Sequence, residues 1–383
     1  MIRDLTDDEA RAALPCKWGE VAPDVLPAWV AEMDYAVAEP VREALLRAVT
    51  AGMTGYPPGG AGGALGDAYA GFAARQFGAT VDPARVVPTV DVTAGVRIVL
   101  DVLAPAGGLV FPVPGYSPQL AMADVTGRER LDLVVDPDAE RAELDLDRLD
   151  RFFADGARVL LLTQPHNPWG RAFSRAELEG VRDVVVRHGG FVVSDEIHAP
   201  LVLDGREHVS YLAVDGTADH AVSVVSPSKA FNTAGLKCAQ LVTASDLLHE
   251  RLLAAPGIHN DSWSVLGLVA AEASYTHGDA WLAALRRRLE DQRDLLVRLL
   301  AEHLPLARLR PVEATYLAWV DLRAYGHDDP AALALERERV RLAPGHDYQP
   351  GLTGHVRLNF ATSADRLTTI VHRLAAAVTL PPS

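Results

Sequence analysis

Short apolar runs, rich in β-branched residues, alternate with amphipathic stretches from about residue 86 onward. The runs predict buried strands at Val86–Val90, Leu109–Phe111, Leu131–Val135, Val159–Thr163, Phe191–Ser194, Ala221–Val225 and Gln240–Thr243. Between them, stretches such as Arg175–His188 repeat apolar residues at helical spacing. Strands that are apolar on both faces and alternate with helices predict an α/β domain with a mostly parallel, seven-stranded sheet flanked by helices.

The pattern changes on both sides of this region. Before it we predict an extended arm that ends in a helix at Pro40–Ala48, and a loop at 51–66, where Gly and Pro are frequent. After it we predict helices at 264–277, 279–303 and 363–378 and strands at Tyr316–Asp321 and His355–Phe360. The chain is therefore expected to form a large α/β domain over 49–263 and a smaller α+β domain over 264–383, to which the arm 1–48 contributes.

Composition narrows the functional classes. A chain of 383 residues suits two domains, and a net charge of −15 argues against binding to nucleic acid. The two cysteines, Cys16 and Cys238, lie too far apart in sequence for a metal knuckle or a disulfide framework. The acidic first residues do not resemble a signal peptide, and no run of about 18 apolar residues predicts a membrane span. We expect a cytoplasmic protein that uses no metal.

Three polar segments directly follow predicted strands of the large domain. They are Gln164–Gly170, Ser194–His198 and Ser226–Lys229. Because ligands bind at the carboxyl ends of parallel strands, we expect the three segments to converge. Taken alone, the first is as consistent with an ordinary Asn-Pro turn, although the flanking prolines would fix the direction of the Asn167 amide.

The paired acids Asp195 and Glu196 resemble a Walker B feature or a metal site. The chain has no Gly-Lys-Ser/Thr motif, so a nucleotide site is excluded. A carboxylate at this place can instead pair with a protonated ring nitrogen. His198, taken alone, is more often structural than catalytic.

Ser226 and Lys229 match the S-x-x-K motif of penicillin-binding proteins, but the S-D-N and K-T-G partners are absent. A lysine at the end of an apolar strand loses hydration, which lowers its pKa and makes it a better nucleophile. The alternative, a lysine whose amine reaches solvent, is equally compatible. Hydroxyl groups at Ser226 and Ser228 could bind a phosphate.

Arg357 lies in a fourth segment, His355–Phe360, where apolar and polar residues alternate as in a half-buried strand. An arginine there is suited to bidentate recognition of a carboxylate, although an ordinary surface arginine is the simpler interpretation. The Gly59–Gly66 segment lacks the spacing of a dinucleotide site, and we interpret it as a loop at the substrate entrance.

In this order the segments resemble the fold-type I enzymes of the class I/II aminotransferase superfamily, which depend on pyridoxal 5′-phosphate (PLP). The resemblance is specific to the cystathionine β-lyase-like carbon–sulfur lyases and extends from about residue 17 to residue 375. The segments that carry it are Leu26–Tyr35, Gly55-Tyr56, Pro114–Pro118, Pro165–Arg171, Ser194–His198, Ser228–Leu236, Ala314–Trp319 and Arg357–Asn359.

The resemblance implies a role for each candidate residue. Lys229 would hold PLP as a Schiff base and act as the general base. Asp195 would pair with the ring nitrogen, Asn167 would bond the phenolic oxygen, Tyr116 would stack on the ring, and His198 would lie beside the cofactor.

The resemblance also implies how the phosphate and the substrate are bound. The amides of Ala94, Gly95 and Val96 would bind the phosphate at a helix start. Ser226, Ser228 and Lys237 would provide further phosphate ligands from the same chain. Tyr56 would reach the phosphate from a neighbouring subunit, which implies a homodimer with shared active sites. Arg357 would bind the α-carboxylate of an amino-acid substrate, with Trp29 and Asp34 of the arm close by.

The same scaffold supports β-elimination and transamination. Many aminotransferases of the superfamily carry tyrosine where this chain has His198, which favours a lyase that acts on L-cystathionine or a related cysteine S-conjugate. An aminotransferase and a PLP-binding regulatory protein are the alternatives. The Gly345–Pro350 and Pro311–Thr315 segments depart from the subgroup near the expected pocket, so they leave the choice of substrate open.

Overall fold

The computed structural model describes residues 2–58, 60–260 and 262–379. The described strands, numbered in chain order, are β1 (Leu26–Pro27), β2 (Val86–Thr89), β3 (Gly108–Val113), β4 (Arg130–Val134), β5 (Ala157–Thr163), β6 (Phe191–Asp195), β7 (Ala221–Val225), β8 (Ala239–Val242), β9 (Arg308–Leu309), β10 (Leu317–Asp321), β11 (Val340–Arg341), β12 (Ala343–Pro344) and β13 (His355–Asn359).

The described α-helices are numbered in the same way. They are α1 (Asp7–Ala13), α2 (Glu39–Thr50), α3 (Gly63–Phe77), α4 (Val92–Val102), α5 (Ser117–Leu120), α6 (Met122–Val125), α7 (Leu146–Ala154), α8 (Arg175–Arg187), α9 (Ser228–Phe231), α10 (Asp246–Ala254), α11 (Val265–His277), α12 (Asp279–His303), α13 (Pro330–Glu338) and α14 (Ala364–Thr379).

The large sheet contains seven described strands in the order β2-β8-β7-β6-β5-β3-β4. Neighbouring strands from β7 to β4 are parallel, and β8 runs antiparallel to both β2 and β7. Separate apolar clusters, one around Val96 and Leu241 and one around Leu178 and Leu160, cover its two faces. The predicted fold, a mostly parallel seven-stranded sheet flanked by helices, is confirmed.

The small sheet is antiparallel, in the order β12-β13-β10-β9, and α14 packs on α12 and α13. The N-terminal arm joins this region, because β1 pairs in parallel with β11 and the Asn359 amide donates to the Ala28 carbonyl at 2.9 Å. This pairing places the arm at the edge of the large sheet where its parallel strands have their carboxyl ends. The domain boundaries at residues 48 and 263 stay predictions.

Two elements differ from the pattern-based expectation. The arm is not wholly extended, because Thr6 and Glu9 form a reciprocal capping box that starts α1. The predicted loop at 51–66 ends early, since α3 begins at Gly63. No helix among the described residues has the length and apolar character needed to cross a bilayer.

Candidate active site

A cleft of about 530 Å³ lies at the carboxyl ends of β5, β6 and β7, between the large sheet, the small sheet and the N-terminal arm. Parallel strands that end at one edge bring residues distant in sequence together there. The cleft is lined by ten of the predicted site residues: Trp29, Tyr116, Asn167, Asp195, His198, Ser226, Ser228, Lys229, Lys237 and Arg357.

Lys229 lies in α9, one short turn after the end of β7. Its Nζ atom donates a hydrogen bond to the Ala31 carbonyl of the arm at 3.0 Å. Loss of hydration, together with the nearby charge of Arg357, lowers the pKa of Lys229 to about 8. About a tenth of this amine is therefore neutral near pH 7, far more than of an ordinary lysine, and a nucleophile must be neutral.

Asp195 ends β6 and is buried at the floor of the cleft. Its carboxylate accepts the Ile197 amide at 3.0 Å and the side-chain amide of Gln119. Burial raises the pKa of Asp195 to about 6 in spite of these hydrogen bonds. A cation bound against this carboxylate would offset the cost of burying its negative charge. The site therefore favours a protonated ring nitrogen.

Gln119 was not among the predicted site residues. The Thr163 hydroxyl donates to its Oε1 at 2.7 Å, which orients its amide toward Asp195. Its position three residues after Tyr116 was the available signal, but only the packing of α5 over β5 and β6 shows which side chain it contacts.

Glu196, the second acid of the pair, faces away from the cleft. It accepts hydrogen bonds from Ser223 Oγ at 2.8 Å, the Tyr211 amide at 3.0 Å and His208 Nε2 at 3.0 Å. Asp195 is the last residue of β6 and Glu196 follows it, and adjacent residues of an extended chain point to opposite sides. The Asp195 carboxylate therefore lies in the cleft, and the Glu196 carboxylate stabilises the fold. In the described ranges no three side chains of metal-binding type lie together.

Arg357, from β13, is buried where the small sheet faces the cleft. One Nη atom donates to the Trp29 carbonyl at 2.6 Å, and the other to Asn167 Oδ1 at 3.2 Å. The guanidinium carbon lies 5.0 Å from the centre of the Tyr348 ring. Each Nη group carries a second hydrogen beyond these two contacts, so the guanidinium has donors left for a bound carboxylate.

Two aromatic residues of the cleft are held in their uncharged forms. Burial, followed by the charges of Lys229 and Arg357, lowers the pKa of His198 to about 3, and its Nδ1 atom is buried without a hydrogen-bond partner. Burial also raises the pKa of Tyr116. Trp29 reaches the cleft from the arm, with the Arg341 guanidinium 3.6 Å from its ring centre.

One end of the cleft is formed by the start of α4. Asp91 caps this helix by accepting the Ala94 amide at 2.8 Å, and its second oxygen pairs with Lys237 Nζ at 2.8 Å. The cleft reaches Val92 and Thr93, whose positions in the first turn leave their amides outside the intrahelical pattern. This helix start and Lys237 together suit a phosphate.

The predicted phosphate contacts of Ala94, Gly95 and Val96 require correction, since none of these residues lines the described cleft. The amides of Ala94 and Gly95 are both taken up by Asp91. Gly95 instead packs on the sheet, where an added Cβ would lie 3.0 Å from Val224 Cγ1. The part of α4 that the cleft reaches is its first turn, at Val92 and Thr93.

Ser226 and Ser228 line the cleft but are not equivalent. The Ser226 hydroxyl donates to the Cys238 carbonyl at 2.9 Å and accepts the Ser228 amide at 3.1 Å, so its proton is already used. Ser228 is therefore the better phosphate donor of the two.

Asp34 also requires correction, because it does not line the cleft. Its fully buried carboxylate pairs with Lys17 Nζ at 2.8 Å, accepts Trp18 Nε1 at 2.8 Å and lies 3.5 Å from Arg366. Asp34 therefore stabilises the arm and does not contact substrate. Tyr56 lies fully exposed on the loop after α2, where it does not reach the cleft of its own chain.

The residues present fit PLP. An amine of lowered pKa, a buried carboxylate for the ring nitrogen and a cationic helix start for a phosphate line one cleft, and the Nη groups of Arg357 have hydrogens left for a carboxylate. Asn167, held by Arg357, directs its amide group into the same cleft. These groups match the aldehyde, the ring nitrogen, the phosphate and the phenolic oxygen of the cofactor.

Comparison with known proteins agrees with this arrangement. The chain is 34% identical to the cystathionine β-lyase of Corynebacterium glutamicum over 96% of this chain and 98% of that protein. It is 31% identical to the cystathionine β-lyase PatB of Bacillus subtilis over 93% of each. A crystal structure from Corynebacterium diphtheriae, described as a candidate PLP-dependent β-cystathionase, superimposes with a TM-score of 0.94 at 33% identity and covers 99% of this chain and 100% of that one.

The model of the family named aminotransferase class I and II matches residues 29–374, which include the cleft residues of both sheets. The match covers most of the chain, as do the relatives above. The protein therefore belongs to the class I and II aminotransferase family.

Proposed function

We propose that the protein is a PLP-dependent carbon–sulfur β-lyase that acts on L-cystathionine or a related cysteine S-conjugate. In this reaction a proton leaves Cα, the bond between Cβ and sulfur breaks, and a thiol departs. Water then converts the remaining fragment into pyruvate and ammonia. The observation that carries the proposal is the convergence of Lys229, Asp195 and Arg357 on one cleft, in a chain so similar to named cystathionine β-lyases over its full length.

PLP, when bound, supplies an electron sink that stabilises negative charge at the substrate Cα. Lys229 anchors the cofactor and then, as a free amine, takes the Cα proton; its lowered pKa suits both tasks. Asp195 keeps the ring nitrogen protonated, and Gln119 holds the Asp195 carboxylate in place. Arg357 binds the α-carboxylate and thereby orients the Cα proton toward Lys229.

His198 supports elimination over transamination. Many aminotransferases of this superfamily carry a tyrosine at the corresponding position. His198 is buried and uncharged near pH 7, so it adds no charge beside the cofactor, where Asp195 and Lys229 are the charged groups.

The test is to supply L-cystathionine to the PLP-loaded protein and to measure pyruvate, while a parallel reaction with a keto acid measures amino-group transfer. Pyruvate release as the dominant reaction is the expected result. Fast amino-group transfer without pyruvate would identify an aminotransferase. A cofactor that binds without either reaction would favour the regulatory alternative.

We also infer a cytoplasmic homodimer with shared active sites. Tyr56 is fully exposed and follows the exposed apolar residues Leu46, Val49 and Met53, a surface suited to a second copy of the chain. Light scattering of the purified protein should give twice the mass of one chain. Replacing Tyr56 with Phe should weaken PLP binding if the hydroxyl reaches the phosphate of the partner, whereas Leu46→Ser should lower both the mass and the PLP affinity.

A further inference from the structure

One acidic side chain in the cleft has no task in the reaction as described above. The charged residues that line the cleft are Asp91, Asp195, Lys229, Lys237, Asp347 and Arg357. Asp91 is paired with Lys237, and the cofactor and the substrate α-carboxylate account for the others except Asp347. Among the described residues the only ion-pair candidate for Asp347 is the exposed His346, which lies 3.8 Å away and is charged only when protonated.

The backbone that carries Asp347 is fixed from both sides of the cleft. It ends the short 3-10 helix Gly345–Asp347, in which the Tyr348 amide donates to the Gly345 carbonyl at 3.0 Å. The Gly115 amide of the large domain donates to the Tyr348 carbonyl at 2.9 Å. Gly345 packs closely on β13, where an added Cβ would lie 3.0 Å from His355.

The same segment fixes the position of Asp347 relative to Arg357. The Tyr348 ring packs edge-on against Trp319, with the ring centres 5.2 Å apart, and supports the Arg357 guanidinium on another side. Asp347 therefore lies one residue from the wall that orients the α-carboxylate group. Its side chain is half exposed, which places it toward the mouth of the cleft.

From these contacts we propose that Asp347 determines specificity by binding the distal ammonium group of L-cystathionine. The inference rests on the proposed lyase function and names the part of the substrate that this chain selects. Simple S-alkyl cysteines have no cation beyond sulfur, so a carboxylate held at the mouth gives them no advantage. A diamino substrate places a second ammonium group there, and the pair selects it.

The test compares two substrates that differ only in the distal ammonium: L-cystathionine and S-(3-carboxypropyl)-L-cysteine. For the PLP-loaded wild type, kcat/KM from pyruvate release should favour L-cystathionine by about two- to fivefold, as suits a half-exposed charge pair. Asp347→Asn should reduce this preference to about onefold by lowering kcat/KM for L-cystathionine alone. Asp328→Asn, at an exposed acid outside the cleft lining, should leave the preference unchanged.

Calorimetric titration of the loaded protein with both compounds supplies a readout that needs no turnover. If neither substrate releases pyruvate but L-cystathionine binds more tightly in an Asp347-dependent way, the lyase proposal fails and the specificity inference stands. If pyruvate is released and Asp347→Asn retains the wild-type preference, or the wild type has no preference, the role of Asp347 is refuted. A loss equal for both compounds would also refute it, because it would indicate a general effect on the cleft.

Discussion

Replacing Arg357 with lysine tests the substrate-binding geometry most directly. The change keeps the positive charge but removes the planar fork that can bind a carboxylate through two parallel hydrogen bonds. In the structure the guanidinium already donates to the Trp29 carbonyl and to Asn167, and its buried Nε atom has no partner. A lysine ammonium cannot keep both contacts and bind the substrate carboxylate in two places.

The magnitude follows from the bonds that are lost. A hydrogen bond to a charged group contributes about 1.5–3 kcal/mol, and Arg357→Lys removes one such bond to the substrate. We therefore expect kcat/KM for L-cystathionine to fall by about ten- to a hundredfold. Most of the change should appear in KM, because the α-carboxylate is bound before and during Cα proton removal.

Steady-state pyruvate release gives kcat and KM separately for this variant. Arg339→Lys is the matched control, since Arg339 is half-exposed and pairs with Asp24 at 2.8 Å on the surface, where such ion pairs contribute little to stability. Thermal unfolding of both variants reports any damage to the fold. An Arg357→Lys protein with a wild-type KM and a lowered Tm would refute the role of Arg357 as the carboxylate ligand.

Four further outcomes follow from the structure. Lys229→Ala should lower activity by several orders of magnitude, because one group acts in the covalent and acid–base steps; a variant that keeps most of its pyruvate release would exclude it. The rate at which the cofactor-free protein captures PLP, measured by stopped flow, should rise with pH and level off above about pH 8. The reason is that only the neutral Lys229 amine attacks, and its pKa is lowered to about 8. A plateau reached only at about pH 10, as for an ordinary lysine, would contradict the loss of hydration of Lys229. Asp34→Asn should lower the free energy of unfolding in urea by about 3–5 kcal/mol, because Lys17 would lose its buried counter-ion, whereas KM should stay close to wild type. Lys237→Met should weaken PLP binding by about tenfold in equilibrium dialysis, and an unchanged affinity would show that its charge serves only Asp91.

Much of the large domain was predictable because its strands are buried on both faces. Such strands appear as short apolar runs, and every run from Val86 to Thr243 corresponds to an observed strand within a few residues. Lys229, Asp195 and Asn167 could be identified because they stand where those runs end. Parallel topology then requires that they meet at one edge.

The arm was less predictable because its signals are local and weak. The capping box of Thr6 and Glu9 is visible in the sequence, but a helix as short as α1 depends on packing for its stability. Asp34 lies three residues after the cleft-lining Ala31, yet its carboxylate is directed to Lys17 in the interior. Proximity along the chain did not indicate which way that side chain points.

The sequence by itself therefore determined the fold class and the set of chemical groups, because hydrophobic periodicity and strand-end polar residues are local properties of the chain. Only the tertiary structure shows which of these groups line the cleft and which side chains each of them contacts. It shows that Glu196 turns away from the cleft, that the cleft reaches α4 at Val92 and Thr93, that Gln119 contacts Asp195, and that Asp347 lines the cleft. Burial, hydrogen-bond partners and distances between distant segments exist only once the chain has packed, so no pattern along the sequence can specify them.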